Sequence, residues 1–163
     1  MCKGTTPVKV YLFDWGDTLM VDFPNQKGKM CDWNYVEAVE GAQQALSTIA
    51  QHSHVYIATS ADDSSELDIK RAFQRVELDK YISGYFCKVN LGIAKGSAEF
   101  YLEIVKRIGL KPNQVVMVGD TVNKDIQPAI QAGLSAIWFN PLRADSELSQ
   151  NVEQITSLTD LIQ

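Results

Sequence analysis

The stretch VKVYLFDWGDTLM, residues 8–20, joins an apolar run to a turn that carries two acidic residues. The β-branched and aromatic residues of the run predict a short strand that is buried within a sheet. Asp14 follows at the point where this strand leaves the core. In open parallel α/β sheets, ligands bind beyond the carboxyl ends of the strands, and a glycine such as Gly16 lets the main chain approach a ligand closely. We therefore expect the chemistry of the protein at Asp14.

Apolar segments of strand length alternate with helical patterns along the rest of the chain. The periodicity predicts further strands over residues 54–59, 85–89, 115–118 and 135–139, and helices over residues 35–51 (after an N-cap at Asn34), 66–76, 97–108 and 123–132. Such alternation requires crossovers between parallel strands. The sequence therefore predicts an α/β fold, a three-layer Rossmann-like parallel sheet of about five strands with helices on both faces. The polar tail is predicted to add only a helix near Leu158.

Length and composition restrict the possible classes of protein. The 163 residues contain no internal repeat or linker, so residues 1–163 are predicted to form a single domain. The net charge of −5 argues against a nucleic-acid partner, because phosphate neutralisation needs a basic face. No apolar run is long enough to cross a bilayer, and residues 1–7 lack the apolar segment of a signal peptide. Three scattered cysteines indicate neither disulfides nor zinc, so a cytoplasmic location is expected; they are Cys2, Cys31 and Cys87.

Four groups of polar residues fall at or just beyond predicted strand ends. They are Asp14 with Gly16, Asp17 and Thr18; Thr59 with Ser60; Lys95; and Gly119-Asp120 with Asp125. Carboxylates that converge in a crevice repel each other unless a cation joins them, and Mg²⁺ prefers carboxylate, water and phosphate oxygens. Lys95 supplies a positive charge suited to phosphate, and hydroxyl and main-chain N–H groups supply neutral donors. These parts suit phosphoryl transfer, in which Asp14 attacks phosphorus and the resulting aspartyl phosphate is cleaved by water.

The order of these motifs resembles that of a known family. FDWGDTL, the strand that ends in Thr59, Lys95 and GDTVNKD are similar to the four motifs of the haloacid dehalogenase-like (HAD) superfamily. The resemblance covers roughly residues 8–140. Its most specific part runs from Lys95 through VVMVGDTVNKD to PAIQAGLSAIWF. It implies an Mg²⁺-dependent hydrolase that acts on a phosphate ester.

The resemblance also implies a role for each matching residue. Asp14 would be the nucleophile and a ligand of Mg²⁺. Asp120 and the main-chain carbonyl of Gly16 would be further ligands, and Asp125 would support the metal directly or through water. Thr59 and Lys95 would hold the phosphate. Together with the donors that follow Asp14 and Thr59, the candidate phosphate-binding groups are Trp15, Gly16, Thr59, Ser60 and Lys95, and the catalytic candidates are Asp14, Asp17 and Lys95.

One position departs from the family pattern. Phosphatases of this family usually carry a second aspartate two residues after the nucleophile as general acid and base, whereas this chain has Gly16 there and Asp17 one residue later. A positioned acid/base contributes about 10²- to 10⁴-fold to the rate. Asp17 could replace it, or the leaving group could need no help. Alternatively, the protein could cleave a phosphonate or a 2-haloacid, or be a weakly active or inactive phosphoryl-binding domain.

The segments in which HAD enzymes insert a cap domain are short in this chain. Residues 20–34 are too few for an independent cap, and residues 59–95 are accounted for by one helix and one strand, so the fold is predicted to be capless. An open site suits a large phosphorylated substrate, or closure by a neighbouring subunit of a homo-oligomer. The expected partner is a small phosphorylated metabolite or such a larger phosphorylated substrate. Lys27, Lys29 and Trp33 could touch the substrate, although a solvated loop with Trp33 packed on a helix is the favoured interpretation. No membrane partner is expected.

Overall fold

The structure of the chain is a computed structural model that describes residue 8, residues 10–146 and residues 152–163. Residues 1–7, which include Cys2 and were predicted to carry no signal peptide, lie outside the described residues. The strands are β1 (Val10–Phe13), β2 (His54–Ala58), β3 (Gly84–Phe86), β4 (Val115–Gly119), β5 (Ser135–Phe139) and β6 (Glu153–Ile155). All neighbouring strands are parallel, and they form one sheet in the order β3-β2-β1-β4-β5-β6.

Helices cover both faces of this sheet. The α-helices are α1 (Ala42–Ile49), α2 (Glu66–Arg75), α3 (Lys88–Leu91), α4 (Ala98–Ile108) and α5 (Gln127–Gln131). Short 3-10 turns lie at Met30–Asp32, Asp79–Tyr81, Pro112–Gln114 and Leu158–Ile162, and a π-helical turn lies at Val122–Ile126. Helices α1 and α2 share one apolar cluster with Phe13, and α3, α4 and α5 share a second cluster with Leu12. The side chains of β1 therefore alternate between two cores, which explains why nearly the whole strand is apolar.

The predicted α/β fold is confirmed, with a correction to the number of strands. The sheet has six strands instead of about five, because the tail contributes β6 as well as the predicted turn of helix at Leu158–Ile162. Glu153 and Gln154 are exposed, so only Ile155 of this edge strand packs into the core. A three-residue edge strand with two polar residues leaves no apolar run for sequence analysis to detect.

The predicted helix over residues 35–51 is wrong in its first half, because α1 begins only at Ala42. Its N-cap is Gly41 in the left-handed region (φ 86°), not Asn34. The chain before it pairs with the segment after β1, since the Val39 N–H donates to the Leu19 carbonyl at 2.8 Å. This long-range main-chain pairing outweighs the local helical pattern.

Smaller differences affect three other predicted segments. The strand predicted over residues 85–89 is β3 at Gly84–Phe86. The first two residues of the loop predicted over residues 90–96 form the end of α3. The helix predicted over residues 123–132 is divided into the π-helical turn and α5. Pro128 lies at the start of α5, where its missing N–H interrupts a continuous α-helical ladder.

The centre of the sheet sets the position of the candidate site. Strands β2 and β3 extend the sheet on one side of β1, and the chain then crosses back so that β4 lies on the other side. Ligands bind outside the carboxyl ends of strands at such a switch in strand order. Phe13 is in register with Val118, and the Asp14 N–H donates to the Val118 carbonyl at 2.9 Å. The residues that follow β1 and β4 therefore emerge side by side.

Residues 21–33, named here the 21–33 segment, pack against α2 rather than forming a separate unit. The Arg75 guanidinium donates to the main-chain carbonyl of Trp33, and the Trp33 indole donates to the Gly28 carbonyl at 3.0 Å. The Lys29 ammonium lies 2.9 Å from the Asp68 carboxylate. These contacts fit the predicted absence of a cap domain. Across the described residues, none of the helices has the length and apolarity needed to span a membrane.

Asp68→Asn is expected to destabilise the fold in a pH-dependent way. The hydrogen bond from Lys29, and then that from the Ser65 N–H, lowers the pKa of Asp68 from its ordinary 3.8 to about 2. The folded state therefore favours the ionised form of Asp68. The contribution of this carboxylate to the stability of the fold is complete above pH 3.8 and is lost as the pH falls through 2. In thermal unfolding, the variant should melt below the wild type at pH 7, and the gap should narrow as the pH falls below 3.8.

Asp62→Asn is the matched control for this prediction. Asp62 is exposed and its carboxylate lies 3.8 Å from the Lys88 ammonium, a pair that contributes little in water. Its melting temperature should follow that of the wild type at every pH. A gap between Asp68→Asn and the wild type that stays constant from pH 7 to pH 2.5 would contradict the role of the ionised carboxylate.

Candidate active site

Asp14 is the first residue after β1 and is almost fully buried. Its Oδ1 lies 2.8 Å from the Lys95 ammonium, and its Oδ2 lies 3.2 Å from the Thr18 hydroxyl. The same hydroxyl lies 3.3 Å from Asp120 Oδ1, and its single proton can be donated to only one carboxylate at a time. Thr18 thus joins the ends of β1 and β4.

Lys95 lies in the loop between α3 and α4 and has only 1% of its side chain exposed. Its ammonium contacts Asp14, Asp125 Oδ1 and, at 2.9 Å, the Ala58 carbonyl at the end of β2. Burial lowers the pKa of Lys95, but the two carboxylates outweigh burial and raise the pKa above its ordinary value. The lysine is therefore charged, and it connects the ends of β1 and β2 with the π-helical turn that follows β4.

Asp120 directly follows β4, and the π-helical turn places Asp125 close to Asp120 and Asp14. Asp125 Oδ2 accepts a hydrogen bond from the Thr121 N–H at 3.0 Å. A Cβ at position 119 would overlap the Asp125 carboxylate, so only glycine fits there. The Trp138 indole donates to the Asp120 carbonyl at 3.0 Å, which fixes the main chain that carries this carboxylate.

Three carboxylates crowd into this small volume. One oxygen each from Asp14, Asp120 and Asp125 lies within 4.8 Å of the others. Desolvation first, and then the neighbouring carboxylates, raise the pKa of Asp120 to about 8. Desolvation and Asp14 also raise the pKa of Asp125 to about 6, against the opposing effect of Lys95. Among the described residues, Lys95 is the only cation paired with the cluster, so negative charge remains uncompensated.

The predicted phosphate-binding residues differ in what they present to the site. Thr59 follows β2 and is buried, and its hydroxyl accepts a hydrogen bond from the Ala61 N–H at 3.1 Å. Ser60 beside it is exposed. The Trp15 indole packs near Phe73 and donates to the sulfur of Met20, so the side chain of Trp15 belongs to the core.

Asp17 and Asp22 lie together at the mouth of the site. Asp17 is exposed and adopts the left-handed conformation (φ 61°), and its carboxylate accepts a hydrogen bond from the Asp22 N–H at 2.9 Å. Partial desolvation, followed by the charges of Asp17 and Asp14, raises the pKa of the exposed Asp22 carboxyl above its usual value. The structure therefore gives Asp17 a definite part in shaping the turn.

All of the candidate catalytic, phosphate-binding and metal-binding residues line one cavity of about 360 Å³, whereas Lys27 does not line it. Several further lining residues received no role from the sequence; they are Asp22, Met30, Asp63, Ser64, Thr121 and Lys124. Lys29 and Trp33 also line this cavity. Trp33 is nevertheless buried, in agreement with the prediction that it packs against the fold. Thr18 belongs to the first motif, but nothing in its local sequence indicates that its hydroxyl joins two strands. Asp22 lies in an irregular segment that carries no motif.

A family model described as haloacid dehalogenase-like hydrolase matches residues 16–133. Over 107 residues the chain is 24% identical to a glyceraldehyde 3-phosphate phosphatase of Pyrococcus furiosus, covering 66% of this chain and 44% of that protein. Over 129 residues it is 27% identical to the pyrimidine 5'-nucleotidase PynA of Streptococcus pneumoniae, covering 77% and 53%. The chain thus spans about half the length of these relatives.

Solved structures share the fold at low sequence identity. A 2-haloacid dehalogenase from Pseudomonas syringae superposes with a TM-score of 0.76 at 19% identity, over 95% of this chain and 96% of that one. This likeness establishes the fold alone. The chemistry has to be argued from the side chains at the ends of β1, β2 and β4.

Proposed function

Because the chain belongs to the haloacid dehalogenase-like hydrolases, we propose that it hydrolyses phosphate monoesters with the help of Mg²⁺, through an aspartyl phosphate on Asp14. The observation that carries this proposal is the convergence of three carboxylates, from Asp14, Asp120 and Asp125, with the buried ammonium of Lys95 in contact with Asp14 and Asp125. The relatives named as phosphatases support the same class of reaction.

The donor set fits Mg²⁺. Three carboxylates with ligand atoms within 4.8 Å of each other face one ammonium, so a divalent cation would offset the remaining negative charge. Asp14, Asp120 and the main-chain carbonyl of Gly16 would hold the ion, with Asp125 acting directly or through water. When bound, Mg²⁺ neutralises charge on the phosphate and on the attacking carboxylate.

The residues of the chain supply the nucleophile and the groups that bind the phosphoryl oxygens. Asp14 attacks phosphorus, and Lys95 holds its carboxylate in place while the ammonium balances charge on the phosphoryl oxygens. The Thr59 hydroxyl, Ser60 and the main-chain N–H groups of Trp15 and Gly16 donate to those oxygens. Such preorganised donors supply much of the stabilisation of a phosphoryl-transfer transition state.

Cleavage of a carbon–halogen bond is the less favoured reaction at this site. Dehalogenation has no use for a metal, whereas Asp120 and Asp125 add two carboxylates beside Asp14. The substrate is proposed to be a small phosphorylated metabolite or a larger phosphorylated molecule, because the cavity is open. The free thiols of Cys31 and Cys87 are compatible with the expected cytoplasmic setting.

Removal of Mg²⁺ is expected to abolish this activity. The full chain is assayed with para-nitrophenyl phosphate and a panel of phosphorylated metabolites, after treatment with EDTA and after addition of Mg²⁺. Turnover should fall by at least about 10²-fold in EDTA and return with Mg²⁺, because an electrostatic contribution of this size is lost. Added Mg²⁺ should also raise the unfolding temperature, since it binds only the folded cluster.

Two outcomes would contradict the proposal. One is equal turnover with and without Mg²⁺. The other is halide release from a 2-haloacid in EDTA together with no phosphate release, which would assign carbon–halogen chemistry to Asp14 instead.

A further inference from the structure

Gly16 occupies the position at which the family's phosphatases carry the acid, and a different carboxylate lies in front of it. A Cβ built on Gly16 would lie 3.4 Å from both Cβ and Oδ2 of Asp22. The direction in which a side chain of residue 16 would extend is therefore filled by the carboxylate of a residue six positions later. Asp22 also lines the cavity that contains Asp14 and Lys95.

The main chain holds Asp22 in this position through a network of hydrogen bonds. The Asp17 N–H donates to the Met20 carbonyl at 2.6 Å, and the Val21 N–H donates to the Glu37 carbonyl at 2.9 Å. The Asp22 N–H donates to Asp17 Oδ1 at 2.9 Å. Two residues before Asp22, Met20 forms bridges with Gly16 and Ala38. The segment that carries Asp22 is thus tied both to the turn after β1 and to the chain before α1.

The carboxylate of Asp22 is free to react. Among the residues that the structure describes, none donates a hydrogen bond to it or forms an ion pair with it, and the side chain is exposed at the mouth of the cavity. Asp17, by contrast, uses its carboxylate to hold the Asp22 N–H. Of the two acids beside Gly16, one shapes the turn and the other faces the site.

We propose that Asp22 is the general acid and base of the reaction and replaces the aspartate that the family's phosphatases carry at the position of Gly16. Asp17 is its positioning residue. This inference rests on the phosphatase function proposed above, and it answers the question that Gly16 raises in the sequence.

The proposed proton transfers balance over the two steps. Asp14 Oδ forms a bond to phosphorus while the bond from phosphorus to the ester oxygen breaks, and that oxygen takes the proton of the Asp22 carboxyl group and leaves as an alcohol. A water molecule then attacks the phosphorus of the aspartyl phosphate and gives a proton to the Asp22 carboxylate. The bond from phosphorus to Asp14 breaks, which releases inorganic phosphate and restores both aspartates.

The test compares two leaving groups in Asp22→Asn. Phenyl phosphate has a poor leaving group that needs a proton, whereas para-nitrophenyl phosphate leaves readily as the anion. We expect kcat/KM to fall by about 10²-fold or more for phenyl phosphate and by less than about 10-fold for para-nitrophenyl phosphate, because only the first needs the acid. Because kcat/KM reports the steps up to the first cleavage, slow hydrolysis of the aspartyl phosphate does not obscure the comparison.

Two further variants serve as controls within the same part of the chain. Asp32→Asn neutralises an exposed acid of the 21–33 segment that does not line the cavity, and it should leave the ratio of the two kcat/KM values unchanged. Asp17→Asn retains an oxygen that can accept from the Asp22 N–H, so it should affect both substrates alike. A ratio that changes in Asp17→Asn but not in Asp22→Asn would assign the acid to Asp17 and overturn the proposal.

Transfer of the acid to position 16 provides an independent check. Gly16 does not adopt a positive φ, and a Cβ there would lie no closer than 3.4 Å to Asp22, so position 16 accepts an aspartate once the exposed side chain of residue 22 turns toward solvent. Gly16→Asp should restore phenyl phosphate turnover in the Asp22→Asn background and add less than about 10-fold to the wild type, because the wild type already has its acid. A gain of about 10²-fold in the wild type would show that the acid is missing, and would overturn the proposal.

Failure of this inference differs from failure of the proposed function. If Asp22→Asn slows both substrates equally or neither, while the wild type hydrolyses both with Mg²⁺, Asp22 is not the acid and the phosphatase function stands. If the wild type hydrolyses neither ester, the function itself is wrong, and the role of Asp22 fails with it.

Discussion

Asp14→Asn is expected to lower turnover of para-nitrophenyl phosphate by about 10³-fold or more, because the substitution removes the proposed nucleophile itself. Asparagine has the same shape as aspartate: its amide oxygen can still accept from Lys95, and its amide N–H can donate to the Thr18 hydroxyl in place of the lost Oδ2. The loss should therefore appear in kcat with little change in the fold. Removing one carboxylate from a crowded cluster should leave the metal-free protein as stable as the wild type, or more so.

The covalent intermediate gives a second measurement for the same variant. The wild type is mixed with substrate and quenched in acid within its first turnover, and the peptides are analysed by mass spectrometry. A phosphorylated peptide that contains Asp14 is expected from the wild type and should be absent from Asp14→Asn. Asp32→Asn is the matched control, because it removes an equal charge from an exposed position and should behave as the wild type does. Undiminished turnover in Asp14→Asn would refute the assignment of the nucleophile.

Lys95→Met is expected to affect both stability and activity. Methionine fills a similar volume but leaves the Asp14 and Asp125 carboxylates without their shared ammonium. Breaking a buried ion pair by removal of one partner costs about 3–5 kcal/mol, so the free energy of unfolding of the metal-free protein should fall by about this amount. Turnover with Mg²⁺ should fall by about 10²- to 10³-fold, because a preorganised positive charge on the phosphoryl group is lost.

The response to Mg²⁺ separates the electrostatic role of Lys95 from a packing role. Removal of a neighbouring positive charge should strengthen Mg²⁺ binding, so the metal should raise the unfolding temperature of Lys95→Met more than that of the wild type. Lys88→Met is the control, because Lys88 is exposed and its contact with Asp62 is long. Wild-type stability and turnover in Lys95→Met would show that the buried ammonium has neither role.

Local sequence patterns were sufficient to predict the frame of the protein. Apolar runs located β1, β2, β4 and β5, and the rule that ligands bind at the carboxyl ends of parallel strands indicated that Asp14 and Asp120 lie together. Because Phe13 of β1 is in register with Val118 of β4, the two strands end side by side and bring Asp14 and Asp120 together. The start of α1 was misplaced because a main-chain hydrogen bond between Val39 and Leu19 outweighs the local helical pattern, and β6 was missed because a short polar edge strand leaves no periodic signal.

The sequence by itself determined which residues end the central strands and which chemical groups are present there. Only the tertiary structure decided that Lys95 is buried between Asp14 and Asp125, that the Thr18 hydroxyl joins two strands, and that the Asp22 carboxylate fills the space in front of Gly16. The physical reason is that strands follow from the alternation of neighbouring residues. The positions of loop side chains depend instead on hydrogen bonds between distant segments and on single φ angles, such as that of Asp17, which no local pattern encodes.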